Sequence, residues 1–135
     1  MKAAAGEAIR DPGPPTPDDA LLLVTILNGA VGEQALDGME LLWTYPEPPS
    51  YNGLTRDHPP GSVGFRNVMS LLTVGERLGT FVKNGVLHAG LTTDLIWMGG
   101  VWERTHVLIN DLRIQRGNPK LFENLEFLAS ASLSE

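Results

Sequence analysis

Glu76 and Arg113 are the charged residues best placed in this sequence to act together. Each lies on or beside an apolar stripe in a segment whose spacing predicts a helix. If those helices pack, a carboxylate and a guanidinium meet in a partly buried pair, and the planar fork of Arg suits such a partner. The pair either sets helix register or holds a carboxylate in a pocket beside an anion-binding Arg. Desolvation offsets so much of the attraction that the pair alone favours neither. His106 is the third residue of that candidate pocket. It stands three residues from Glu103, with Asp94 at the start of the same expected helix, but no H-x-x-x-H pairing occurs among His58, His88 and His106. A semi-buried histidine with one hydrogen-bond partner is the plainer expectation, His58 within RDHPP reads as a loop residue, and no metal site is expected.

Other chemistries lack their signatures. There is no cysteine, hence no disulfide, thiolate metal site or thiol nucleophile. The glycine-rich dinucleotide fingerprint, the phosphate-binding loop and the nucleophile elbow G-x-S-x-G are all missing. Nothing local assembles a Ser-His-acid triad. No cofactor is expected, and an enzyme is less expected than a binding domain. The aromatic residues point the same way: Trp43, Tyr45 and Tyr51 flank a proline-rich stretch, and Trp97 and Trp102 stand five apart, so both cannot face one core line. Trp43, Tyr45, Tyr51 and Trp97 are therefore the candidate interaction surface, since aromatic residues carry much of the energy of binding sites. The alternative is that the loop from Tyr45 to Pro60 covers Trp97 within one molecule.

The elements that must position these residues follow from pattern. With 135 residues, one domain can bury a core unaided. The net charge of −6 is lopsided, with nine acids and three bases in Met1–Pro60 and seven of each in Gly61–Glu135. No basic stripe suggests nucleic acid. Met1–Arg10 resembles neither a signal nor a transit peptide, and the apolar run Ala20–Leu27 is far shorter than the roughly 20 residues a bilayer needs, so it reads as a core segment. A cytoplasmic protein with no membrane or nucleic-acid partner is expected.

Residues 1–17, rich in Pro, Gly and Ala, read as a disordered or extended tail, and 18–135 as a single helical domain. Asp18 and Asp19 precede Leu21–Leu27, a run open to helix or buried strand, with the carboxylates favouring helix. A break is expected near Asn28–Gly32. A helix with Leu36, Met39, Leu42 and Trp43 inward then runs to Pro46, followed by a long proline-rich loop. From Ser62 to Gly85, Val68, Leu71, Leu72, Gly75, Leu78, Gly79 and Val82 form a helical stripe. A third helix, capped by Thr92 or Thr93, carries Leu95, Met98, Trp102, His106, Ile109 and Leu112 and ends at Arg116–Gly117. Asn118 and Pro119 open a last helix with Leu121, Phe122, Leu125 and Phe127. Gly75 and Gly79 are expected to meet Gly99 and Gly100 at a close crossing, with Trp102 beside it. The predicted core includes Val68, Leu72, Leu78, Trp102, Ile109, Phe122 and Leu125.

The order VGERLGTFVKNGVL, VWERTHVLINDLRIQRGNP and LFENLEFLA, within Phe65–Ala129, resembles a bacterial family of small helical domains, the domain of unknown function 4760. On that resemblance Glu76, Trp102, Arg113, Glu123 and Phe127 occupy the family's characteristic positions. It implies a helical fold and an intracellular bacterial setting, and no activity.

These observations together predict an all-α antiparallel bundle of four to five helices, best specified over 62–130. The expected function is a non-catalytic protein-interaction or regulatory domain that binds a protein partner or forms a homodimer. The alternative is an enzyme or small-ligand-binding protein with a polar pocket between helices around Glu76, Arg113 and His106.

Overall fold

The computed structural model describes the backbone of residues 13–133, and within these every regular element is an α-helix, seven in all. Most of the expected tail, residues 1–12, lies outside the described residues. α1 (Pro17–Asn28) starts one residue earlier than the carboxylates suggest. Thr16 is the N-cap, bonded reciprocally with Asp19 in a capping box, and Pro17 occupies the first helical position. Leu21–Leu27 is thus helix. Leu23 of α1 is buried in the core and Leu22, Ile26 and Leu27 pack against it, as a core segment should, while Leu21 and Val24 on the other side of the helix are exposed.

The break comes at Gly29, which ends α1 and caps α2 (Ala30–Trp43), and the two helices are bent by 69°. Among the described residues no single helix is long and apolar enough to cross a membrane. The inward face of α2 is Ala35, Gly38 and Leu42, whereas Leu36 and Trp43 face outward. One glycine explains that choice of face. A Cβ on Gly38 would strike the backbone carbonyl of Asn67, so α2 lies directly on the N-terminal half of the next long helix. That contact selects the small-residue side over the larger apolar one.

The proline-rich stretch is not simply a loop. It contains α3 (Tyr51–Asp57), whose N-cap Ser50 accepts from Gly53 N–H and whose Leu54 is fully buried. Pro46, Pro48 and Pro49 sit before the helix and Pro59 and Pro60 after it, so the prolines bound a helix without entering it.

The central element is α4 (Val63–Lys83), capped by Ser62 and stopped at Asn84 and Gly85 as its pattern predicts. Its expected stripe, Val68 to Val82, is buried at every position. Each fully buried Leu there contributes about 1.5–3 kcal/mol. The expected third helix divides in two: α5 (Ala89–Leu95), capped by His88, and α6 (Met98–Arg116). Thr92 and Thr93 lie inside α5, and their hydroxyls donate back to the carbonyls of His88 and Ala89. Ile96 is extended, and the chain turns there before α6 begins.

The last helix also starts later than expected. Asn118 caps only a turn, with its Oδ1 accepting from Lys120 N–H, and α7 (Glu123–Leu133) follows Phe122, a non-glycine residue with φ 59°. α7 packs on α4 and α6. The glycine crossing is between α4 and α7: a Cβ on Gly79 would strike the carbonyl of Asn124, and one on Gly75 would come within 2.6 Å of Leu125 Cδ1. Gly100 instead lies under the Trp97 ring. Of the predicted core, Val68, Leu72, Leu78, Ile109 and Leu125 are at most 1% exposed, and Trp102 and Phe122 are half-buried at its margin. The fold is therefore all-α, with two short helices and a bent α1–α2 pair that a plain four- or five-helix antiparallel bundle lacks.

Candidate functional site

Glu76 and Arg113 are engaged with other partners, not with each other. Glu76 Oε1 accepts the backbone N–H groups of Asn124 and Leu125, each at 3.0 Å. These are first-turn donors of α7 that no residue of α7 can satisfy, so a carboxylate from α4 does so across the interface. Arg113 holds the other side of the same turn. Its Nε donates to Leu121 O at 2.8 Å, and its Nη2 forms an ion pair with Glu126 Oε1 at 2.9 Å. Between the two grips sits Phe122, whose left-handed backbone costs an aromatic residue about 1–3 kcal/mol.

His106 does not join them. Its Nδ1 lies 3.0 Å from Glu103 O and 3.2 Å from Trp102 O, and its ring tilts against Trp102 with centroids 5.9 Å apart. Two carbonyl acceptors make Nδ1 the protonated nitrogen. The expected pocket of Glu76, Arg113 and His106 is thus corrected, because the orphan N–H groups of α7 and the turn carbonyl compete successfully for the first two. Among the described residues, no group of three His, Asp or Glu could hold a metal ion.

The aromatic candidates do converge in part. Trp43, at the end of α2, and Trp97, before α6, stack with centroids 6.2 Å apart and planes inclined by 18°. They are 45% and 68% exposed. Trp97 therefore stacks on another tryptophan and stays mostly exposed, where cover by the loop from Tyr45 to Pro60 would have buried it. Arg104 of α6 completes the arrangement, its guanidinium carbon 4.4 Å from the Trp43 ring centroid. Arg104 Nη1 donates to Tyr45 O at 2.8 Å, and Nε lies 3.1 Å from Glu103 Oε1 without hydrogen-bond alignment.

Tyr45 and Tyr51 face other neighbours. The Tyr45 hydroxyl donates to Asp57 Oδ2 at 3.0 Å, and burial, reinforced by that bond and the Asp57 charge, raises its pKa above 10.0. Tyr51 packs edge-on against Phe65, and its N–H donates to Asp111 Oδ2 at 2.8 Å.

Pattern reasoning missed Arg104, Asp111, His88 and the cross-chain role of Asp19. Asp19 Oδ1 accepts from His88 N–H at 3.0 Å, joining α1 to α5, while His88 Nδ1 accepts from Leu91 N–H. Such partners are 60 to 69 residues apart in sequence for the Asp111 and Asp19 bonds, and no local spacing announces them.

A family model described as Domain of unknown function (DUF4760) matches residues 24–132. The match takes in α2 to α6 and parts of α1 and α7, so α2 and the end of α1 belong to the domain along with the stretch from Phe65 to Ala129. No curated protein and no solved structure matches the chain.

Proposed function

The chain belongs to the DUF4760 family, and on that footing we propose that it is a non-catalytic protein-interaction or regulatory domain of the cytoplasm, working through the face on which Trp43 and Trp97 stack. The observation that carries this reading is the exposed indole pair. Single exposed apolar side chains are ordinary on protein surfaces. Two indoles stacked together and overlaid by Arg104 are a different case: large, rigid contact surface is already ordered, so a partner loses less entropy on binding.

The pocket reading has less support. It needs the Glu76 carboxylate and the Arg113 guanidinium free for a ligand, and both are committed to the turn before α7.

Native mass spectrometry of the whole chain purified from its own host tests the proposal. The expected spectrum contains a second protein mass, either another copy or a different chain, and Trp97→Ala releases it while circular dichroism stays helical. A monomer carrying a stoichiometric small molecule, unaffected by Trp97→Ala, would overturn the reading.

A further inference from the structure

The exposed arc of α2 divides by chemistry. Leu36 and Trp43 are two turns apart and form an apolar edge, 66% and 45% exposed, which Trp97 extends across the stack. Beside that edge runs a row of carboxylates at Glu33, Asp37 and Glu40, at i, i+4 and i+7 on the same helix and all exposed. Among the described residues none of the three forms an ion pair. The sequence has no Lys or Arg between Arg10 and Arg56, whereas it has seven acids there. Arg104, the cation that lies over Trp43 beside Glu103, has a side chain only 12% exposed.

We infer that this face docks a basic amphipathic helix of a partner protein, its apolar stripe on Leu36, Trp43 and Trp97 and its Lys or Arg residues along Glu33, Asp37 and Glu40. The inference rests on the interaction reading above and adds the chemistry of the partner. Charge selects the occupant. An anionic bilayer or a nucleic acid would meet a surface of its own sign. A second copy docked face to face with its α2 antiparallel to this one would bring the two carboxylate rows together. A cationic helix instead gains attraction on approach and covers the indoles once bound.

Binding of two synthetic amphipathic helices to the full chain, read by tryptophan fluorescence at several salt concentrations, tests this. The helices share one leucine stripe and differ only in carrying Lys or Glu beside it. The Lys helix is expected to bind about tenfold more tightly at low salt, three surface charge pairs being sufficient for that, and the preference shrinks as salt rises. The triple change Glu33→Lys, Asp37→Lys and Glu40→Lys should reverse the preference, and Asp37→Lys alone should reduce it if the triple variant folds poorly. Equal binding of the two helices, or binding of neither, overturns the inference.

A photo-crosslinking residue at position 36, used in living host cells, separates this failure from failure of the interaction reading. An adduct to a basic amphipathic segment supports both. An adduct to an acidic or neutral segment, or to another copy of this chain, overturns the inference and leaves the interaction reading standing. No adduct from position 36, with none from position 97, overturns both.

Discussion

Glu76 supplies from α4 the acceptor that α7 lacks at its own N-terminus, so its side chain couples two elements through two backbone bonds. Removing it leaves both donors unsatisfied at a half-buried joint. Glu76→Ala should lower the unfolding free energy by about 2–3 kcal/mol, and Glu76→Gln, which keeps a neutral acceptor, by about half as much. Urea denaturation checks both, and equal losses for the two variants would contradict the capping role. Arg113 acts on the preceding carbonyl and on Glu126, where the partner carboxylate is 43% exposed and the ion pair therefore contributes little. Arg113→Lys should destabilise by about 1 kcal/mol, chiefly because an ammonium cannot bond Leu121 O and Glu126 in the same fork. A family resemblance and apolar spacing were enough to single out Glu76 and Arg113. Their partners were not legible, because these lie 8 to 49 residues away and are decided by where α7 docks.

At the scale of elements, glycines whose Cβ would meet backbone should respond differently from those with open space. Gly79→Ala forces α4 away from the Asn124 carbonyl, which cannot move without shifting the start of α7. It should cost about 1–3 kcal/mol despite the higher helix propensity of Ala. Gly29 is the opposite case: it caps α2 in an extended conformation, without a side-chain cap bond, and its Cβ position is open. Gly29→Ser should stabilise by a few tenths of a kcal/mol, and thermal melting of the two variants should shift in opposite directions. The first turn of α1 is sensitive to pH. The hydrogen bonds of Asp19 with Thr16, backbone first, and then with His88 lower its pKa below the ordinary 3.8, against a smaller opposing effect of desolvation. A carboxyl depressed in the fold contributes stability that is complete above its unfolded value and is lost as pH falls through the folded one. The His88 amide signal, followed by NMR on acidification, should therefore titrate with a midpoint below 3.8. A midpoint above that value would argue against the α1–α5 link in solution.

For the molecule as a whole, core and aromatic face should respond differently to truncation. Leu72→Ala removes a fully buried side chain from α4 and should cost about 2–5 kcal/mol. Trp97→Ala removes a larger side chain that is mostly exposed, and should cost no more than the stacking itself, about 0.5–1.5 kcal/mol, while abolishing association. Urea titration of both variants, with sedimentation of the second, checks this contrast. A large stability loss for Trp97→Ala would instead assign the indole pair to the core.

The sequence by itself determined the helical class, the full extent of α4 and its buried stripe, the break near Gly29 and the end of α6. Each depends on local terms: apolar spacing at three and four residues, a capping hydroxyl, a glycine stop. A serine cap also opens α3 at Ser50, but the surrounding prolines concealed it from composition alone. Tertiary structure decided which face of α2 turns inward, because Gly38 had to admit the backbone of α4 and so left Leu36 and Trp43 outside. It also decided that Glu76 and Arg113 hold a turn instead of lining a pocket, and that Trp43 meets Trp97 under Arg104. These are contacts between distant residues, and their energies compete only after the helices have docked.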